Sequence, residues 1–208
     1  MIDPTYQPAI DRLRDCIAER RPDRRFFVDF DYTLLLANST DKYLRSARPA
    51  LLFRPILKLI GLVRPWIFRG SNGVFLYRDA TRLGFMHWLR PSLAADFGQI
   101  AHHEYDTHQN QQLVDMLGSV ESDKIVIVSF GLKSAIETML KSTRFRDCAV
   151  IASSPDQLVE DRKRGKLEML KDANLTPDPA LDAVITDSKR DDHDLLDYVE
   201  RGFHIKWL

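Results

Sequence analysis

An α/β fold, with a parallel sheet covered by helices on both faces and a helical segment inserted after the first strand, follows from three features of this 208-residue sequence. Short apolar runs rich in Val and Ile alternate with helical periodicity through the second half of the chain, the pattern of βα units. These runs are apolar at nearly every position rather than at every second one, so both faces of each strand are buried. Between the first such run and the second, from Thr40 to about Leu117, helical periodicity broken by Pro49, Pro55, Pro65 and Pro91 replaces any convincing strand.

Taken in order, Pro8 to Glu19 reads as an amphipathic helix with Ile10, Leu13 and Ile17 on one side. Arg25 to Phe30 is the first strand. Lys124 to Ser129 is a buried strand, followed by a helix from Lys133 to Leu140 and a strand at Ala149 to Ala152. A helix starting near Lys166, a strand at Ala183 to Thr186, a helix around Leu195 to Val199 and a last strand, Phe203 to Ile205, complete the chain. The expected organisation is an α/β core of residues 1–37 and 121–208 carrying a helical cap of residues 38–120.

Composition removes several function classes. A content of 44% hydrophobic and 10% aromatic residues suffices for a sizeable core. Lys plus Arg and Asp plus Glu number 30 each, so no overall charge argues for a nucleic-acid partner. That balance hides an asymmetry: from Lys42 to Arg90 ten cations face one anion, Asp79. Cys16 and Cys148 show neither paired nor metal-type spacing, which suits a reduced, intracellular setting. Met1 to Pro4 lacks the layout of a signal peptide, and no uncharged apolar run is long enough to span a bilayer. The expected location is cytoplasmic, with peripheral membrane contact through the basic segment as a further expectation.

Ligands of open parallel sheets bind outside the carboxyl ends of the strands, so polar residues ending these strands are the site candidates. Side chains alternate along a strand, so Asp29 and Asp31 point the same way at the end of the first. Two converging carboxylates are costly unless a divalent cation lies between them, or one attacks while the other carries a proton. Ser129 and Asp187 end two further strands, and Lys166 opens a helix after Gly165. His87, His102, His103 and His108 have no ligand-type spacing and read as surface or core residues.

The order of these residues resembles the haloacid-dehalogenase superfamily of phosphohydrolases. Asp29-Phe30-Asp31-Tyr32-Thr33 is similar to its first motif, Ser129 to its second, Gly165-Lys166 to its third and Asp187-Ser188-Lys189-Arg190-Asp191 to its fourth. The chain departs from the pattern at Tyr32 and Thr186, where that superfamily frequently has Gly. The resemblance implies a Mg²⁺-dependent phosphatase with Asp29 as nucleophile and Asp31 as acid and base. It implies Asp29, Asp187 and Asp31, the last through its carbonyl, as metal ligands. It also implies Thr33, Ser129, Gly131 and Lys166 as substrate-binding residues, with Asp191 orienting Lys166 or a metal-bound water. Dehalogenases of the superfamily lack the second aspartate, so Asp31 points to phosphate-ester hydrolysis.

The insertion is helical, basic and aromatic. On a helical wheel of Ala50 to Arg69, the residues Arg54, Lys58, Gly61, Pro65 and Arg69 share a narrow face and most others are apolar. That layout suits an anionic membrane surface or a lipid phosphate; it equally suits a cap helix packed on its neighbours with its cations in water. A likeness in layout to C-type phosphatidylglycerophosphate phosphatases and phosphoserine-phosphatase-like proteins implies either an amphiphilic phosphate or a soluble phosphorylated metabolite as substrate. A non-catalytic module that binds anionic lipid is the rival reading.

Overall fold

In the computed structural model, which describes residues 4–62 and 77–207, five strands form one all-parallel sheet. They are β1 (Phe26–Asp29), β2 (Ile125–Leu132), β3 (Ala149–Ser153), β4 (Ala183–Thr186) and β5 (Arg201–His204), in the order β3-β2-β1-β4-β5. β1 is central, with Asp29 level with Val128 of β2 and Val28 level with Ile185 of β4. After β3 the chain crosses back over β1 to lay down β4. The carboxyl ends of β1, β2 and β4 thus meet where the winding changes sides, which is where an open α/β sheet offers a ligand crevice.

Alternation along the strands divides the core in two. Phe26, Val28, Ile125, Ile127, Ala183 and Ile185 point to one face, and Phe27, Val126, Val128 and Val184 to the other. The first face is covered by α1 (Gln7–Ala18), which buries Ile10, Leu13, Cys16 and Ile17. The insertion supplies α2 (Ser39–Arg45), α3 (Ala50–Leu62), α4 (Arg78–Leu89), α5 (Leu93–Gly98), α6 (Ala101–His108) and α7 (Gln111–Met116). α8 (Lys133–Leu140) buries Ala135, Ile136, Met139 and Leu140, and α2, α5 and α6 pack against it. Leu44, Leu83, Phe97, Tyr105 and Leu113 of the insertion join the same apolar cluster as the sheet. The described part of the insertion therefore shares the core of the sheet rather than building its own.

The second face is covered after α9 (Leu158–Arg164) by α10 (Lys166–Asp172) and α11 (His193–Tyr198), through Leu170, Leu195 and Val199. α9 is absent from the sequence-based expectation, because its run from Glu160 to Arg164 is charged at every position and has no apolar period. β2 runs three residues past the expected end at Ser129, with a register irregularity between Ser129 and Leu132. In α3, Phe53 and Leu57 are buried while Lys58 and Leu59 are exposed. The rest of the surface expected from Ala50 to Arg69 lies largely outside the described residues. No helix among the described residues is long and apolar enough to cross a membrane.

The opposite, amino-terminal end of the sheet is clamped by Asp182. Its buried carboxylate accepts from the Arg25 backbone N–H at 2.8 Å, from Arg25 Nη2 at 2.8 Å and from the Asp178 N–H at 2.8 Å. This joins the start of β1 to the turn before β4. Removing one partner of a buried ion pair leaves the other uncompensated. Asp182→Ala is expected to lower unfolding stability by about 3 kcal/mol, read from the midpoint of a urea titration.

Candidate functional site

The site grows from the turn that follows β1. Leu34 and Leu35 donate their N–H groups back to the Phe30 carbonyl at 3.1 and 2.9 Å, which coils the chain after Asp29. Tyr32 sits in that coil with φ +62°, a left-handed conformation that glycine adopts without the penalty a Cβ brings. Its ring is 52% exposed. Asn110, the N-cap of α7, braces the same turn from across the insertion. Its Nδ2 donates to the Thr33 carbonyl at 2.8 Å and its backbone N–H to the Leu34 carbonyl at 2.8 Å.

Thr33 links two strand ends. Its side chain accepts from the Asp187 N–H at 2.9 Å and lies 3.1 Å from Asp29 Oδ2 and 3.3 Å from Asp187 Oδ1. With 0% exposure and these partners, the hydroxyl is a brace between β1 and β4.

Lys166 supplies the cation. It is 2% exposed, and its Nζ lies 2.5 Å from Asp29 Oδ1 and 2.7 Å from Asp192 Oδ1. Burial alone would lower the pKa of this ammonium, but Asp192 and Asp29 outweigh it and the net direction is upward, so the charge is held. The neighbouring cations are engaged elsewhere: Arg162 with Asp79, Lys163 with Glu160, Arg164 with Asp172 and Lys171 with Glu168. The acid beside Lys166 is Asp192, one residue beyond the Asp191 singled out by motif spacing. Asp192 also accepts from Thr186 Oγ1 at 2.5 Å, whereas Asp191 offers its backbone N–H to Ser188 Oγ at 3.1 Å. The turn before α11 faces Asp192 inward, and a linear spacing rule cannot register that.

Gly165 sets the aim of Lys166. It has φ +93° and ψ 165°, a region that only glycine occupies at low cost. A Cβ there would stand 2.5 Å from Asp194 Oδ2, which itself accepts from the Leu167 N–H at 2.8 Å. The chain thus turns sharply out of α9, and α10 starts with its lysine pointing at β1.

Asp31 faces a different direction from Asp29. Its Oδ1 accepts from the Ser39 N–H at 2.7 Å, at the start of α2. Its Oδ2 lies against Gly131, where an added Cβ would meet it at 3.0 Å, Ser39 Oγ at 2.8 Å and Ser129 Oγ at 3.1 Å. Ser129 is buried, and its oxygen accepts from the Gly131 N–H at 2.9 Å. Burial pushes the Asp31 carboxyl up to about 6, against the opposing pull of the Ser39 N–H and hydroxyl.

Asp29 and Asp187 are the pair able to hold a metal. Burial is the main cause that raises both, opposed by Lys166 and reinforced by Asp192, and Asp187 adds its own repulsion at Asp29. Three acids therefore share one ammonium, a deficit of positive charge that a divalent oxygen-seeking cation would relieve. Among the described residues no three His, Cys, Asp or Glu side chains converge on a metal-sized site. One or two carboxylates with several retained waters is the mode in which Mg²⁺ is usually held, so Asp29 and Asp187 would suffice as its protein ligands. His87 and His108 pair with Tyr43 and Lys42 at 2.9 Å each, and His102 with Asp106 at 3.3 Å. The sequence pointed to neither Asp192, Asn110 nor Ser39.

Two outcomes follow from this geometry. Gly165→Ala strains the turn and pushes on Asp194, so it is expected to cost about 2 kcal/mol in a urea titration. Asp31 has a folded pKa above its ordinary 3.8, so the stability it contributes is full below that value and is lost as pH rises through about 6. Asp31→Asn is therefore expected to melt above wild type at pH 7.5, by up to about 3 kcal/mol, with the gain vanishing near pH 4. Melting curves across that range check it; an unchanged gain at all pH values would contradict it.

No family model, curated protein or solved structure matches this chain.

Proposed function

We propose that the protein is a Mg²⁺-dependent phosphomonoester hydrolase of the haloacid-dehalogenase type, working through an aspartyl-phosphate on Asp29. One observation carries this reading: a buried lysine ion-paired to a buried strand-end aspartate, with a second aspartate on the next turn whose pKa lies near 6. A fixed nucleophile, a fixed cation and an acid poised near neutrality are the parts that phosphoryl transfer requires.

In the first half-reaction an Asp29 oxygen attacks phosphorus, and the bond from phosphorus to the leaving oxygen breaks. Protonated Asp31 gives its proton to that oxygen. In the second half a water attacks phosphorus, Asp31 takes the water's proton, and the Asp29–phosphorus bond breaks to release phosphate. Lys166 holds the Asp29 carboxylate in one rotamer and balances charge on the transferring oxygens. The Ser129 hydroxyl donates to one of those oxygens. Bound between Asp29 and Asp187, Mg²⁺ would supply charge neutralisation between nucleophile and phosphate. The carboxylates of Asp29 and Asp31 act separately because the turn through Tyr32 sends them to different neighbours.

An amphiphilic phosphate is the favoured substrate class. The support is an exposed aromatic pair on α4, Phe85 and Trp88, 38% and 76% exposed with centroids 5.9 Å apart. Asp79, in the first turn of the same helix, accepts from Arg162 at 2.6 Å.

Hydrolysis of p-nitrophenyl phosphate with and without Mg²⁺, beside Asp29→Asn, tests the reading. Metal-dependent turnover reduced roughly 1000-fold or more by the substitution is the expected result. Turnover that persists in Asp29→Asn would overturn the assigned nucleophile.

A further inference from the structure

We propose that the outward face of α4 docks on an anionic lipid bilayer, with Phe85 and Trp88 entering the headgroup region and nearby arginines meeting lipid phosphate. This docking goes beyond the proposed hydrolase chemistry and stands apart from the role assigned to Asp29.

The first observation is that α4 carries apolar residues on both sides. Its inner side buries Leu83 and Met86 in the core. Its outer side runs through Tyr77, Thr81, Phe85 and Trp88, whose spacing places them on one face. All four are exposed and none is charged. A helix that faces water normally sets charged and polar residues on that side. Trp88 is 76% exposed, and its ring lies 5.9 Å from that of Phe85, so the two form one aromatic patch. Tryptophan is enriched where hydrocarbon gives way to headgroups, because its ring is apolar and its N–H is not.

The second observation is that charges around the patch are sorted by depth. Asp79 is buried between Arg82 and Arg162. Asp96 of α5 is 11% exposed beneath Arg90, the C-cap of α4, and also accepts from the Arg48 N–H at 3.2 Å. That contact brings Arg48 to the end of α4 that carries Trp88. The cations reach outward instead: Arg45 is 64% exposed, Arg48 is exposed and Arg90 half-buried. α2, which carries Arg45, lies beside α4 through Tyr43 with His87 and Asp41 with Arg82. An uncharged aromatic face is thus flanked by arginines whose acids are mostly covered. The sequence from Lys42 to Arg90 holds ten cations and one anion. A positive surplus spread along a whole segment matches an extended anionic surface, such as a bilayer, better than one acidic side chain on a protein partner.

The test is co-sedimentation of the full chain with two kinds of vesicle: phosphatidylcholine alone, and phosphatidylcholine mixed in equal parts with phosphatidylglycerol. Binding to the mixed vesicles only, released as salt is raised, is the expected result. Trp88→Ser is expected to weaken that binding roughly tenfold, with an unchanged melting temperature because the ring lies mostly in water. Arg45→Gln combined with Arg48→Gln, two exposed side chains, is expected to weaken it several-fold and keeps the test open should Trp88→Ser fail to fold. Asp29→Asn should bind as wild type does, so binding without phosphatase activity overturns the hydrolase reading and leaves the docking intact. Equal binding to both vesicles, no binding to either, or full binding by Trp88→Ser overturns the docking while the hydrolase reading stands. So does a wild-type dimer in solution that Trp88→Ser turns into a monomer, since the face would then join two copies of the chain.

Discussion

The buried ammonium of Lys166 is the constraint on which the rest of the site depends. Taking a lysine charge out of water costs several kcal/mol, and only close, well-placed anions offset that. Here Asp29 and Asp192 do so at 2.5 and 2.7 Å. Those two acids come from the end of the central strand and from the turn that follows β4, while the lysine opens the helix of the crossover between them. One charge therefore ties three segments that are distant in the chain. A stability-driven sequence would do better with an apolar residue of similar volume at this position. On the proposed reading the charge serves phosphoryl transfer.

The same charge is insufficient for its surroundings. Asp187 lies beside Asp29, with Thr33 bridging the two, so carboxylates outnumber cations at the strand ends. Burial raises both acids and the neighbouring carboxylates add to it, which favours a proton or a divalent cation there. Asp31 escapes this crowd because the left-handed backbone at Tyr32 turns it toward Ser39, Ser129 and Gly131. Two aspartates two residues apart thus acquire distinct environments, which on the proposed reading would let one attack while the other handles protons. The insertion takes part in this division. α2 supplies the N–H that holds Asp31, and Asn110 of α7 pins the turn between them.

The three central strands and most of the flanking helices were legible because buried parallel strands are apolar at nearly every position and end in polar residues, while the edge strands β3 and β5 are only partly buried and showed as shorter apolar runs. For the same reason Asp29, Asp31, Ser129 and Asp187 stood out, and Lys166 followed from the Gly before it. What the sequence could not reveal is decided by three-dimensional closure. Asn110 lies 77 residues from Thr33, and no local pattern connects them. Asp187, Asp191 and Asp192 fall within the short turn after β4 and Asp194 in the helix that follows, and only the backbone path selects Asp192 for Lys166. Ser39 looks like any polar residue at a helix start until Gly131 is seen opposite it. α9 was hidden because its burial rests on Leu158 and on ion pairs such as Arg162 with Asp79, not on an apolar stripe.

The central claim is that the oxygen of Asp29 takes the phosphoryl group. Its most direct measurement is chemical trapping: the protein is turned over with Mg²⁺ and a phosphomonoester, quenched, and reduced with borohydride, which converts an acyl phosphate on aspartate to homoserine. Peptide mass spectrometry then finds the modified residue. Homoserine at position 29, dependent on substrate and metal, is the result this account predicts. Steady turnover with the modification elsewhere, or with none at any aspartate, would contradict it.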